Sequence, residues 1–136
     1  MYATCDIFYA LVRAGNFDIN NFLLKEDYDG RNFTLVELKG GALEKAFDTD
    51  GYIYYLDGKQ FRWNKDGVPN EYISTEECDI LDVQHVNNIL EDILWAKSRF
   101  NIIRNAESDE YWKTVRGGKE GYLQRRKERV EKLKSL

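Results

Sequence analysis

Gly51-Tyr52-Ile53-Tyr54-Tyr55-Leu56-Asp57-Gly58-Lys59-Gln60-Phe61-Arg62-Trp63 is the stretch on which the fold class turns. Tyr and Ile crowd its opening, and such side chains suit a pleated, half-buried strand. Asp57-Gly58 is a two-residue turn signal, so Lys59 to Trp63 reads as the return strand of a hairpin. Asp66-Gly67 turns the chain again, and Glu71 to Thr75 reads as the next strand. Asp79 to Val86 reads as a further extended segment.

Moving toward the N-terminus, the pattern changes to helical spacing. Met1 to Thr4 reads as the end of a strand. Asp6 then offers a cap, and Ile7, Phe8, Leu11 and Val12 fall on one face of a helix that Gly15 ends. Ile19 to Leu24 is a short apolar run with a helical reading, followed by a polar loop at Lys25 to Arg31. Asn32 to Leu38 alternates as a strand, Gly40-Gly41 breaks it, and Ala42 to Phe47 makes a helical turn.

Toward the C-terminus, Ile89, Leu90, Ile93, Leu94 and Ala96 place a helix within Asn87 to Phe100, with a short strand at Asn101 to Asn105. Ser108 is a cap for a helix over Asp109 to Arg116, which Gly117-Gly118 interrupts. Gly121 to Leu136 is a charged helix with a thin apolar seam at Leu123, Val130 and Leu133, the mark of a helix that packs weakly or docks a partner. Hairpins in the middle and helices at both ends make an α+β chain, with a small mixed or antiparallel sheet and flanking helices. We divide it into an α+β unit over residues 1–105 and a C-terminal helical extension over 106–136.

The chain has 136 residues, 43% of them hydrophobic and 14% aromatic, enough for a folded core of one domain. Its net charge is −4, but from Lys113 onward there are nine Lys or Arg against three Glu. An acidic body therefore carries a basic tail, a distribution that could suit a nucleic acid or an acidic partner; Glu128 and Glu131, interleaved with Arg125-Arg126-Lys127, argue instead for intrahelical pairs on a solvated helix and against a nucleic-acid partner. Cys5 and Cys78 have no CxxC spacing and read as reduced and half-buried. No apolar run approaches the ~20 residues of a membrane span. The expectation is a soluble, cytoplasmic protein with no metal site. His85 has no second histidine beside it, and Asp48-Thr49-Asp50-Gly51 starts like a calcium loop but lacks the later ligands.

Two short segments carry the chemistry. Tyr2-Ala3-Thr4 ends a strand and leads into the first helix. Asn70-Glu71-Tyr72-Ile73-Ser74 puts a glutamate on a strand just after a turn. A carboxylate so placed beside a cleft can accept a hydrogen bond from a ribose hydroxyl and stabilise positive charge at the anomeric carbon.

Together these segments resemble two of the three elements of the His-Tyr-Glu site of ADP-ribosyltransferases. Asn70-Glu71-Tyr72-Ile73 is similar to the glutamate strand of poly(ADP-ribose) polymerases and related transferases. The order Tyr2-Ala3-Thr4, helix, Gly51-Tyr52-Ile53-Tyr54, Glu71-Tyr72-Ile73-Ser74 also resembles small uncharacterised bacterial proteins of transferase-like pattern. The likeness spans about Tyr2 to Ile89. It implies an ADP-ribosyltransferase-like fold with NAD as cofactor. Tyr2 would pack against nicotinamide, Tyr9 would be a second aromatic wall, and Glu71 would contact the nicotinamide ribose, which makes Glu71 and Tyr2 the catalytic pair.

One departure stands out. The family's histidine strand precedes the tyrosine strand, whereas here the only histidine, His85, follows the glutamate. Three arrangements fit: a start that lies upstream of Met1, a strand supplied by a partner, or a fold kept after catalysis was lost. A missing strand would leave an open sheet edge for a homodimer or another protein's strand. The competing reading is a non-catalytic acidic protein-interaction module, such as a phage or mobile-element inhibitor of a host system, with contact through the C-terminal helix.

Overall fold

The structure, a computed structural model, describes residues 2–27, 31–65 and 71–135. In chain order its elements are β1 (Tyr2–Ala3), α1 (Ile7–Ala14), β2 (Phe22–Glu26), β3 (Phe33–Glu37), α2 (Ala42–Phe47), β4 (Gly51–Leu56), β5 (Arg62–Trp63), β6 (Tyr72–Ile73), β7 (Ile80–Val86), α3 (Ile89–Trp95), β8 (Phe100–Ile103), α4 (Asp109–Trp112) and α5 (Gly118–Lys134). The class is α+β. The strands form three small sheets, ordered β1-β6-β5, β2-β3-β8 and β4-β7, all antiparallel except the β3–β8 pair.

The central sheet is β2-β3-β8, and period-two alternation gives it two covered faces. On one side Phe22, Phe33, Leu35 and Phe100 pack with Leu11 and Val12 of α1, Leu43 and Phe47 of α2, and Ile89 and Ile93 of α3. On the other side Leu23, Val36 and Leu38 pack with Trp112, and Tyr122 and Leu123 of α5 lie against them. Burial on both faces accounts for Val36 standing apolar beside Leu35, where strict alternation would place a polar residue.

Local capping chemistry fixes the helix starts. The Asp6 carboxylate accepts from the backbone N–H groups of Phe8 at 2.8 Å and Tyr9 at 3.3 Å, and Asn88 accepts from the Glu91 N–H at 2.9 Å. Gly117 and Gly118 take φ of +73° and +65°, a conformation that L side chains resist, and so redirect the chain into α5. At Gly51 a Cβ would stand 2.8 Å from Ile89 Cδ1 and 2.9 Å from the Ala14 carbonyl oxygen, so only glycine lets β4 cross α1 this closely.

Several expectations are corrected. The Tyr-rich segment does not fold back on Lys59 to Trp63. Asp57 instead caps a 3₁₀ turn at Gly58–Gln60, and β4 pairs with the distant β7 while β5 pairs with β6. Ile19 to Leu24 is not helical: β2 runs from Phe22 to Glu26, because pairing with β3 buries Phe22 and Leu23. Both C-terminal helices shift at their ends. α4 stops at Trp112, and α5 begins at Gly118 and ends at Lys134. Cys5 is exposed rather than half-buried, whereas Cys78 is half-buried. The Asp66-Gly67 turn, Asn70 and residues 28–30 of the polar loop lie outside the described residues.

The buried carboxylate of Glu37 ties three segments together. It accepts from the Leu43 N–H at 2.8 Å, the Asn105 N–H at 3.1 Å and Arg104 Nε at 2.7 Å, and Arg104 also bridges to Glu44 at 2.7 Å. Burial alone would push the Glu37 carboxyl up; the two backbone N–H donors and the Arg104 guanidinium outweigh it and hold the carboxyl below its ordinary value. The Glu37 contribution to stability is therefore present above the unfolded-state carboxyl pKa and lost as pH falls through the lowered native value. Glu37→Gln should lower the unfolding free energy by about 2 kcal/mol at neutral pH, and denaturant melts should show that gap closing in acid.

Candidate active-site cleft

Tyr2 lies opposite Ile73 and Ala3 opposite Tyr72 in the β1–β6 ladder. On the far side of β6, Trp63 of β5 faces Tyr72. The two-residue strands hold so little ladder that side chains must complete the platform. Asn64 donates its backbone N–H to the Glu71 carbonyl at 2.9 Å and its amide Nδ2 to Glu71 Oε1 at 2.7 Å. That second bond fixes the rotamer of the carboxylate and leaves its other oxygen unspent by Asn64.

Tyr2, Tyr9 and Glu71 line one open cleft of about 1140 Å³. Its floor is the start of α1 with the β1 backbone, and its opposite wall is β4 with Tyr55 and the first residues of β7. Tyr2 is 71% exposed, whereas Tyr9 and Glu71 are half-buried.

Burial is the main reason the Tyr9 phenol is pushed above its ordinary pKa; Arg13 opposes the shift, while the charges of Glu71 and Glu26 add to it. Tyr9 and Glu71, distant in sequence, therefore share one electrostatic neighbourhood. The Tyr72 phenol is also raised, first by the negative charge of an ionised Cys5 sulfur beside it and then by its hydrogen bond with Cys5.

Sequence reasoning did not single out Arg13, Asn64, Tyr55 or Tyr72, which also shape the site. Arg13 follows Tyr9 by four residues, the spacing that stacks side chains on one helix face, and that signal could have found it. Asn64 and Tyr55 depend on strand pairings that no local pattern reveals.

His85 is not among the residues that line the cleft, although it packs on Tyr52, which is. It sits on β7, bonded to Asp50 at 2.8 Å and packed on Tyr52 with ring centroids 4.9 Å apart. Asp48, at the start of the calcium-like string, accepts instead from Asn88 at 2.8 Å. Among the described residues no group of three or more His, Cys, Asp or Glu could hold a metal, and no helix is long and apolar enough to cross a membrane.

Compared with known proteins, the chain matches no family model, no curated protein and no solved structure.

The arrangement offers phenol faces to a flat ring, carboxylate oxygens at Glu71 to vicinal hydroxyls, and a cation, Arg13, to an anionic group. An ultraviolet titration of tyrosinate checks its central electrostatic link. Tyr9→Phe should remove a phenol that ionises above the ordinary tyrosine range, and Glu71→Gln should shift that phenol downward, because a charge disfavouring its ionisation is gone. A Tyr9 titration indifferent to Glu71→Gln would separate the two groups.

Proposed function

We propose that the cleft binds NAD and supports ADP-ribosyl transfer. The observation that carries this reading is the convergence of Tyr2 of β1, Tyr9 of α1 and Glu71, which stands just before β6 rather than within a strand, on one cleft. The residues present suit the cofactor. Phenols offer stacking surface for the nicotinamide ring. The Glu71 carboxylate, oriented by Asn64, suits a ribose diol, and Arg13 suits a pyrophosphate. A cleft of about 1140 Å³ is at the upper end of small-molecule sites, as an extended dinucleotide requires.

NAD, when bound, supplies an ADP-ribosyl group whose bond to nicotinamide breaks as positive charge grows at the anomeric carbon. Glu71 then has two tasks: to hold the ribose hydroxyl and to stabilise that charge in a partly desolvated site, an effect worth several kcal/mol of barrier. Tyr2 and Tyr9 exclude water from the leaving-group side and fix the ring plane. Asn64 keeps the carboxylate aimed and so positions rather than reacts.

Calorimetric titration with NAD tests binding, and nicotinamide release tests chemistry. Tyr2→Ala should weaken NAD binding roughly tenfold through lost stacking. Glu71→Gln, nearly equal in shape, should keep binding within a few-fold and cut nicotinamide release about a hundredfold or more. An absence of NAD binding by the whole natural gene product would remove the proposal.

A further inference from the structure

The strand β7 is exposed to an unusual degree. Six of its seven residues are exposed, among them Ile80 at 58%, Leu81 at 67% and Val83 at 45%. It pairs with β4 on one side, and among the described residues no strand covers the other. The adjoining face of β4 exposes Tyr52 and Tyr54. A long, apolar, uncovered edge is a template for another strand, and natural proteins seldom leave one bare.

The open edge already shows how it would be used. The Val83 N–H points away from the β4 ladder and donates to the carboxylate of its own neighbour, Asp82, at 2.8 Å. On the face shared by Asp82 and Gln84, Gln84 Oε1 accepts from the Tyr55 hydroxyl at 2.8 Å, which leaves the two N–H groups of its amide for a further acceptor.

We propose that the occupant is a second copy of the chain, joined β7 to β7 in antiparallel fashion about a two-fold axis centred on Val83. The axis stands perpendicular to the sheet, so residues facing each other must belong to the same face, and the two numbers of each pair must sum to an even value. Centring on Asp82 would set two carboxylates against each other, a repulsive pairing. Centring on Gln84 or Leu81 would set Asp82 against Val86 or Ile80. Centring on Val83 sets Asp82 of each copy against Gln84 of the other.

Every group released by that pairing then finds a partner. The Val83 N–H leaves Asp82 and donates to the Val83 carbonyl of the second copy. The freed Asp82 carboxylate accepts from the Gln84 amide across the axis. The symmetry repeats both exchanges, and the Val83 side chains meet beside Tyr54. The resulting sheet, ordered β4-β7-β7-β4, has four strands rather than two, a size at which sheets acquire independent stability.

Sedimentation equilibrium on the full chain tests this. The wild type should dimerise. Val83→Pro should be monomeric with its circular dichroism unchanged, because an edge position whose N–H faces outward tolerates proline. Gln84→Glu should weaken the dimer roughly tenfold by placing carboxylates opposite one another twice. Adding Asp82→Lys to Gln84→Glu should restore it, since Lys then opposes Glu across the axis. That rescue decides the matter even where Val83→Pro fails to fold. A wild type that stays monomeric at all concentrations, or a dimer indifferent to these substitutions, overturns the proposal. Neither result bears on NAD binding.

Discussion

Asp6 is the constraint on which both the core and the cleft depend. One of its oxygens closes the first turn of α1 through the Phe8 and Tyr9 amides, and the other receives Arg99 Nη2 at 3.3 Å. Arg99 in turn lies over the Phe8 ring, 4.4 Å from its centroid, and donates from Nε to the Arg31 carbonyl. One carboxylate thus fixes where α1 begins, how far it stands from the lead-in to β8, and at what angle β1 leaves it. A capping carboxylate of this kind contributes about 0.5 to 2 kcal/mol, a substantial share of a small domain's net stability. Its larger consequence is positional: Tyr2 precedes it and Tyr9 follows it, so the two phenols of the cleft take their spacing from Asp6.

What could be seen in the sequence follows from the range over which the controlling interactions act. Caps and helical faces are local, and Asp6, the α1 face and the α3 periodicity were legible. Strand pairing is not local. Asp57-Gly58 carries the composition of a hairpin turn, yet Asp57 spends its carboxylate on the Lys59 N–H and produces a helical turn. The Tyr-rich strand then finds its partner at Ile80 to Val86 instead of at Phe61. The same non-local burial turned Ile19 to Leu24 from a helical reading into the approach to a strand, since Phe22 stacks on Phe17 and meets Phe47 in the core. For the cleft, Tyr2, Tyr9 and Glu71 were named from sequence and meet in one place. Asn64, which aims the glutamate, became visible only once β5 and β6 were side by side.

The division of the strands into three small sheets has a physical consequence for the cleft. Two-residue strands such as β1, β5 and β6 cannot sustain a sheet by ladder bonds alone. Their arrangement is held from outside, by the cap at Asp6 and by the paired bonds between Asn64 and Glu71. The central sheet, by contrast, is buried on both faces and tied at its end by Glu37. Rigidity therefore falls from the center of the molecule toward the cleft, the order in which local opening energies usually run in proteins that bind ligands.

The β4–β7 ribbon joins these two regimes. Gly51 and Val86 anchor its inner end in the core, where Gly51 threads between Ala14 and Ile89. Its outer end, from Tyr55 to Leu81, forms a wall of the cleft and is bare along β7. Ile80 and Leu81 therefore belong at once to the bare strand and to the cleft wall. The hydroxyl of Tyr55 makes the connection explicit, because it reaches Gln84 on β7 while its ring lines the cleft. The same tyrosine thus belongs to both surfaces, one side chain shared by the bare strand and the cleft wall.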